Sequence, residues 1–427
     1  MRRAVLAAAL AAVGAAPAAA DPLDTLGLGA AAGGVSGAVT ATATGAAATH
    51  HQPATVALAA HPEVIIGWSA GWLGLELDGR DAGVEATHGT SLALAVPVPV
   101  SAALRLGAGI GVYLPDRYLA RIRLAPITEP RFVLLDNDER IVIEPVVSLV
   151  HGDKFGVGLG ASLLADARSD RIAFDVGVVG GAKVGAADLD VSLPPRVAPL
   201  VGLWLRPHPR VRLGATYRGA LSLDLALDIR ANVEVAGGVT GDALVALRAS
   251  DYFTPARLTG GVAIDVTPAA TVSADLAWVR WSAFPRPPAL DVLVALDITP
   301  PLVSTRAPDP AFVDVLTARV GVEVRRAGDR ADLAVRAGGA YLPSPVPPQL
   351  GLTSYADGDR TQLSVGVGVR LRDGRPILTR PIDLDLALQW QHVGSRLTVK
   401  QVDELPGQAF SSGGDLVHGG ATATVRF

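Results

Sequence analysis

The feature that most limits what this chain can fold into is a strict two-residue alternation. It recurs in segments of about ten residues from near residue 63 to the C-terminus. In "IDLDLALQWQ", Ile382, Leu384, Leu386, Leu388 and Trp390 alternate with Asp383, Asp385, Gln389 and Gln391. "QLSVGVGVRL" sets Leu363, Val365, Val367, Val369 and Leu371 against Gln362, Ser364 and Arg370. "LSLDLALDIRAN" repeats the pattern from Leu221 to Asn232. "DLVHGGATATVRF" places Val417, Gly419, Ala421, Ala423, Val425 and Phe427 opposite His418, Thr422, Thr424 and Arg426. A period of two is that of a strand, whereas a helix repeats its apolar positions about every 3.6 residues.

Each segment carries one apolar face and one face with charges of both signs. Two surroundings satisfy such a strand: a second sheet in a soluble sandwich, or lipid outside a barrel whose lumen takes the polar face. Length favours the barrel, because a tilted strand needs roughly 9–11 residues to cross the hydrocarbon. Alternation marks fourteen strands, near 63–77, 91–99, 103–114, 141–151, 155–165, 198–206, 210–230, 257–267, 271–282, 316–325, 331–342, 361–371, 382–392 and 417–427. The expected fold is therefore all-β, a transmembrane antiparallel β-barrel of about 14 strands, an even number that leaves both termini on one side. Residues 172–184 and 233–248 also alternate in places and are candidates for strand extensions. Proline marks "PPRVAP", "FPRPPALDV", "DITPPLVSTRAPDP" and "YLPSPVPPQ" as loops.

Composition agrees on the solvent. Hydrophobic residues make up 49% of the chain and the mean hydropathy is +0.36, yet no run of 18 or more strongly apolar residues offers a helical span. Aromatic residues are only 5%, thin for two interfacial belts, although all six tryptophans fall in or at the ends of expected strands. There is no cysteine, so neither a disulfide nor a thiolate metal site is part of the design. Met1-Arg2-Arg3, the apolar run Ala4 to Ala16 and Ala18-Ala19-Ala20 before Asp21 read as a signal peptide over residues 1–20. The formal net charge of −4 becomes more negative when Arg2 and Arg3 leave with it, and no basic stripe invites nucleic acid.

Behind the signal lies "GAAAGGVSGAVTATATGAAATHHQPATVA", Gly29 to Ala57, without a single charge. It is too poor in bulky side chains to build a core of its own. Small residues permit close backbone approach, so the segment can be buried inside a barrel, or else residues 21–61 form a periplasmic tail. In "ALRLGAGIGVYL", Gly107, Gly109 and Gly111 share one face of the third strand. Glycines on one face mark a bulge, a bend or a close neighbour.

Motifs for chemistry are weak. Gly67-Trp68-Ser69-Ala70-Gly71 matches the nucleophile elbow of serine hydrolases, but an elbow needs a helix directly after it and "GWLGLELDG" alternates like a strand. His50, His51 and His61 could meet at a metal only by folding back through the Ala-rich segment. "LDNDER" and "ADGDR" cluster carboxylates without the glutamate that closes an EF-hand, and "GVGLGAS" has no helix after it to make a dinucleotide loop. No catalytic residue, metal or cofactor is expected.

Several stretches resemble the long-chain fatty-acid transporters of the FadL/TodX type, which carry hydrophobic compounds across the Gram-negative outer membrane. "AVRAGGAYLPSPVPPQLGLTSYADGDRTQLSVGVGVRL" resembles the family's strand, Ser-Pro-Val-Pro loop, Asp-x-Asp-Arg and glycine-rich strand. "GGVAIDVTPAATVSADLAWVRWSAF" and "VGLWLRPHPRVRLGATYRGAL" resemble two of its hairpins. The resemblance implies an N-terminal hatch (plug) over 21–62 inside the lumen of a barrel over 63–427. Gln52-Pro53-Ala54 stands where the family has Asn-Pro-Ala, with Gln keeping the amide but adding a methylene. It also implies that the third strand, with Gly107, Gly109 and Gly111, bends to leave a lateral opening. The last strand resembles the C-terminal strand of outer-membrane barrels generally, which implies that Phe427 is an assembly signal. The implied function is passive uptake of fatty acids or aromatic or aliphatic hydrocarbons by capture and hatch-gated lateral release. The implied partners are those hydrophobic molecules, membrane lipid and lipopolysaccharide, and the barrel-assembly machinery, for a monomer. The alternatives are a general diffusion porin and, further off, an outer-membrane serine hydrolase.

Overall fold

The computed structural model describes residues 28–427 apart from 117–128, 133–139, 165–166, 176–177, 180–181, 184–185, 194, 236–238, 286–288, 296–304, 307–308, 373–379 and 402–408. The residues expected to form a signal peptide and the first residues expected of the hatch lie outside the described residues. Fourteen antiparallel strands close into a barrel. We number them β1 Glu63–Leu77, β2 Thr87–Pro99, β3 Leu104–Pro115, β4 Val142–His151, β5 Phe155–Leu164, β6 Arg196–His208 and β7 Val211–Arg218. The second half comprises β8 Ala256–Thr267, β9 Ala270–Arg280, β10 Val315–Arg326, β11 Ala331–Leu342, β12 Arg360–Leu371, β13 Ile382–Val399 and β14 Ala409–Arg426. Each pairs with its neighbours in sequence, and β1 closes on β14 from Glu63↔Arg426 to Leu77↔Ser412. The Phe427 amide extends the closure by donating to the Pro62 carbonyl oxygen at 2.9 Å.

Alternation decides which side of the sheet faces out. Leu363, Val365 and Val367 of β12 and Leu384, Leu386 and Leu388 of β13 are exposed on the outer surface, while Gln362, Ser364, Asp385 and Gln389 are buried inside. An outer wall of leucine and valine around a polar interior is inverted for water and correct for lipid. The turns at the end that carries Glu63 and Phe427 are mostly tight, such as 151–155, 208–211 and 267–270; the long connections lie at the other end. We call these the terminal end and the loop end.

Three expectations need correction. The segment 210–230 is not one barrel strand: β7 stops at Arg218, and Leu221–Val235 pairs with Val239–Thr254 in a separate six-stranded sheet. Gly219-Ala220 and, opposite, Pro255 interrupt the ladder, while the same register resumes beyond them. That sheet also takes in Ala289–Ala295, where "FPRPPALDV" reads as loop, and parts of 167–193. "PPRVAP" is likewise not all loop, since β6 begins at Arg196. Pro199 is tolerated there because its position needs only an acceptor: its carbonyl receives the Gly219 amide at 2.8 Å. The tryptophans divide too. Trp68, Trp72, Trp278 and Trp390 face outward, whereas Trp204 and Trp281 are buried.

A closed barrel has no free edge and satisfies its backbone internally, so detergent at room temperature should not open it. We expect unheated protein to migrate on SDS gels away from its boiled position; identical mobility in both lanes contradicts the closed sheet.

Candidate functional site

The lumen of a barrel this wide cannot be filled by wall side chains alone. Here the chain from Leu28 to Pro62 lies within it. Two short helices, α1 Ala30–Gly33 and α2 Ala48–His51, and two 3-10 turns, Gly45–Ala47 and Pro53–Leu58, touch walls on all sides. Glycines of the inner wall make the sockets. A side-chain carbon at Gly366 of β12 would meet Gly34, one at Gly338 of β11 would meet Val35, and one at Gly214 of β7 would meet Thr40. On the far wall, Gly158 of β5 and Gly202 of β6 leave room for Gln52 and Pro53.

Of the residues singled out in the sequence, Gln52, Pro53 and Ala54 and the three β3 glycines lie where the segment meets the wall. Gln52 is fully buried; its Nε2 donates to the carbonyl oxygens of Thr40 at 3.0 Å and of Leu203 on β6 at 3.1 Å, and its Oε1 accepts from the Ala54 amide at 3.4 Å. The longer amide therefore ties two parts of the segment to the wall and caps the Pro53–Leu58 turn, with Pro53 at its first position. Gly107 lies against Ala57, Gly109 against Thr49 and Val56, and Gly111 against Thr49. β3 is paired continuously, with β2 from Gly89↔Pro115 to Pro99↔Arg105 and with β4 from Leu104↔His151 to Tyr113↔Val142. Phe427 sits exposed at the terminal end beside the β1–β14 closure.

Sequence reasoning missed the polar anchors. Glu144 of β4 is fully buried; it accepts from His50 Nδ1 at 2.8 Å and from Ser162 Oγ of β5 at 2.8 Å, and it pairs with Arg218 of β7. Arg218 also donates to Ser162 Oγ at 3.0 Å and to the His50 carbonyl oxygen at 2.9 Å. Next to it, burial and the proximity of His50 pull the His51 imidazole down to about 3, so its Nε2 donates as a neutral ring to the Leu28 carbonyl oxygen, 3.0 Å away. Asp275 of β9 accepts from the amide of Thr40 at 3.0 Å and from its hydroxyl at 2.7 Å. Ser364 and Gln389 donate to the carbonyl oxygens of Gly34 and Gly33 at 3.1 and 3.0 Å. Each partner is separated from the plug residue by scores of positions, and no local spacing announces it.

Two of the cavities beside the plug lie at its opposite ends. On the loop side, a chamber of about 130 Å³ is floored by Ser36, Thr40 and His50 and walled by Arg218, Arg257, Arg319 and Arg360. Asp275 is the one carboxylate among its lining residues. Trp281 and Val279 line it as well, and they belong to a buried cluster with Phe253, Phe312, Val346 and Tyr355, against which Phe284 packs. The aromatic rings contact one another, with Phe284 and Phe312 centroids 4.6 Å apart. The Ser-Pro-Val-Pro loop is held over this end by the "ADGDR" carboxylates: Ser344 donates its hydroxyl to Asp357 at 2.6 Å and its amide to Asp359 at 2.9 Å. Burial pushes the Asp357 carboxyl up, whereas the Ser344 amide and the Tyr341 hydroxyl hold Asp359 down. On the terminal side, a cavity of about 370 Å³ separates the alanine face of the plug from a charged wall. In that wall Arg336 bridges Glu323 and Asp385, and Asp383 bridges Arg370 and Arg426.

Among the described residues no group of three histidine, aspartate or glutamate side chains is placed to hold a metal; "LDNDER" lies outside the described residues up to Arg140. Ser69 sits within β1 with no helix after it. It lines a small cavity together with His418, whose Nδ1 has no partner among the described residues.

No protein-family model and no curated protein sequence matches the chain. Solved structures do. A FadL homologue of Pseudomonas aeruginosa superposes with a TM-score of 0.60 at 15% identity, over 94% of this chain and 98% of that one. The toluene transporter TodX of P. putida gives 0.55 at 15% identity over 95% and 99%, and the toluene transporter TbuX of Ralstonia pickettii gives 0.53 at 18% over 95% and 100%. The lipid-facing closed barrel defines the class, a transmembrane β-barrel of the outer-membrane type. Within that class the chain has the fold of the FadL- and TodX-type channels.

Replacing Gln52 by Ala leaves the Thr40 and Leu203 carbonyls without their buried donor, a cost of about 1–3 kcal/mol borne by the plug rather than the barrel. We expect Gln52→Ala to keep heat-resistant mobility on gels yet raise single-channel conductance; unchanged conductance would show that the anchor is dispensable.

Proposed function

We propose that this protein is an outer-membrane channel for passive uptake of hydrophobic compounds, with long-chain carboxylates preferred over neutral hydrocarbons. The observation that carries the preference is the chamber above the plug, where four arginines and one carboxylate line a space that adjoins a buried aromatic cluster. An apolar tail fits the aromatic end, and a carboxylate fits the guanidinium fork. Capture at the loop end would bring the tail in through the aromatic cluster; the head then settles against the arginines, and the plug closes the way below. In this reading the Gly29–Ala57 segment is the gate, Gln52-Pro53-Ala54 is its hinge on the wall, and release goes sideways into the membrane. The uncharged, wall-anchored plug argues against a general diffusion porin.

The experiment compares binding of a long-chain carboxylate with that of its alkane by purified protein, alongside Arg257→Gln and Arg360→Gln. We expect tighter binding of the carboxylate and a loss of about tenfold or more in either variant, in line with a charge-assisted hydrogen bond. Equal affinity for alkane and carboxylate rejects the preference. Deleting residues 26–51 should turn the barrel into an open pore with large conductance and antibiotic entry, while Pro53→Ala should lower ligand uptake without that leak; a deletion variant as tight as the parent would make the segment a tail. Phe427 we assign as the assembly signal: its deletion should strand the chain as degraded protein in the periplasm, and normal membrane levels would refute the assignment.

A further inference from the structure

Part of the inner wall meets the plug without sealing against it. Gln389 of β13 and His418 of β14 are ladder partners on the inner face, and Gly420, Thr422, Thr424 and Arg426 continue that face of β14 toward the terminal end. Beside this strip lies a cavity of about 30 Å³, bounded on the wall also by Ser69 of β1 and Ser91 of β2 and on the plug by Gly29, Ala30 and Gly33. Gln389 lines the loop-side chamber as well, while Gly29 and Thr422 also line the terminal-side cavity. The small cavity therefore adjoins the space at either end of the plug.

The polar atoms along the strip indicate what fills it. Gln389 gives its Nε2 to the Gly33 carbonyl oxygen, and its Oε1 has no partner among the described residues. The His418 ring sets its Cδ2–Nε2 edge against Gly71, and Nδ1, on the other edge, is unpartnered among the same residues. Toward the chamber this also holds for both amide atoms of Gln391, and toward the terminal end for Arg426 Nη1. Gln389, Gln391 and His418 are buried, and buried polar atoms are costly to leave dry. A polar cavity takes a water once it offers about 10–15 Å³, so this one has room for about two.

We propose that a file of water runs along β13 and β14 past the closed plug, so that the barrel conducts water while excluding ions. Gln391 and Gln389 take water from the chamber, His418 and Ser69 hold it at the narrow point, and Thr422, Thr424 and Arg426 pass it to the terminal-side cavity. Two features of the path reject charge. The narrow point is too small for an ion with its hydration shell, and the chamber before it carries four arginines against one carboxylate, which repels cations and protons. His51 lines both end spaces too, but its Nε2 is engaged by the Leu28 carbonyl oxygen. The plug need not move for water to pass, because Gln389 keeps its bond to Gly33 and offers the file only its oxygen.

The test uses the full chain in phosphatidylcholine vesicles. A sucrose gradient drives water out, light scattering follows the shrinkage, and trapped pH and chloride indicators report on ions. We expect shrinkage about threefold faster than in protein-free vesicles, with both indicators silent. His418→Leu removes the buried acceptor and Ser69→Leu fills the cavity, so each should return shrinkage to the protein-free rate. His418→Gln keeps a hydrogen-bonding side chain and should retain most of the flow, and Val417→Ala, on the lipid face, should change nothing. Heat-dependent gel mobility shows that each variant barrel is closed. Parent vesicles that shrink no faster than protein-free ones overturn the file. Closed His418→Leu and Ser69→Leu barrels as permeable as the parent overturn its place on β13 and β14. Chloride or protons crossing with the water overturn the selectivity and show a leaking plug instead.

Discussion

Everything in this structure depends on one pairing, that of the first strand with the last. In hydrocarbon there is no water to receive an unpaired amide, so a sheet either closes or cannot exist there. The β1–β14 ladder runs from Glu63↔Arg426 to Leu77↔Ser412, the full length of β1. Closure fixes which face is lipid and which is lumen, and so converts a two-residue alternation into an apolar outside and a polar inside. It also sets the position of the plug, because Glu63 belongs to the closing ladder, pairs with Arg426 and accepts the Ala46 amide at 2.8 Å. The plug is tethered to the strand that seals the barrel.

A plug of glycine, alanine and threonine offers little apolar area, so it cannot be held as a protein core is held. It is held by close approach and by polar anchors instead. Glycine sockets bring backbone against backbone, and buried groups such as Gln52, Asp275 and Glu144 supply directional bonds. The choice has a consequence for motion. Removing one partner of a buried charge cluster is costly, because the charge left behind is uncompensated. Taking Arg218 from Glu144 leaves that buried carboxylate with only His50 and Ser162 as partners. The Glu144–Arg218–His50 cluster therefore resists the loss of any one member and holds the plug to the wall.

The sequence shows the wall clearly because the alternation is local: Leu363 to Leu371 and Ile382 to Trp390 announce their faces within ten residues. It fails where the same signal has two causes. "LSLDLALDIRAN" alternates as well as any barrel strand, yet from Leu221 it belongs to a sheet beyond the barrel; only Gly219 and Pro255, far apart in sequence and opposite in space, mark the boundary. The glycines at 107, 109 and 111 were legible as a close approach, and the structure identifies the neighbour as Thr49, Val56 and Ala57. His50 gave no hint of Glu144, 94 positions away, nor Glu144 of Arg218. Such anchors arise from barrel closure, which brings distant strands to one point of the lumen, and no window along the chain contains them.

The two cavities also constrain the path of an apolar molecule. Below the plug, the 370 Å³ space is lined along the barrel wall by Arg325, Arg336, Arg370 and Arg426 interleaved with Glu63, Glu323, Asp383 and Asp385. Such a wall keeps water, and an alkyl chain moved along it forgoes about 0.8 kcal/mol per methylene relative to an apolar surrounding. An alkyl chain moved from the aromatic cluster at the loop end toward the terminal end would therefore meet a rising free energy. Across the wall the order is reversed, since beyond a single layer of strand lie lipid chains. The charged belt thus makes the terminal-side cavity unfavourable for an alkyl chain, while the outer face of the same wall is the apolar one.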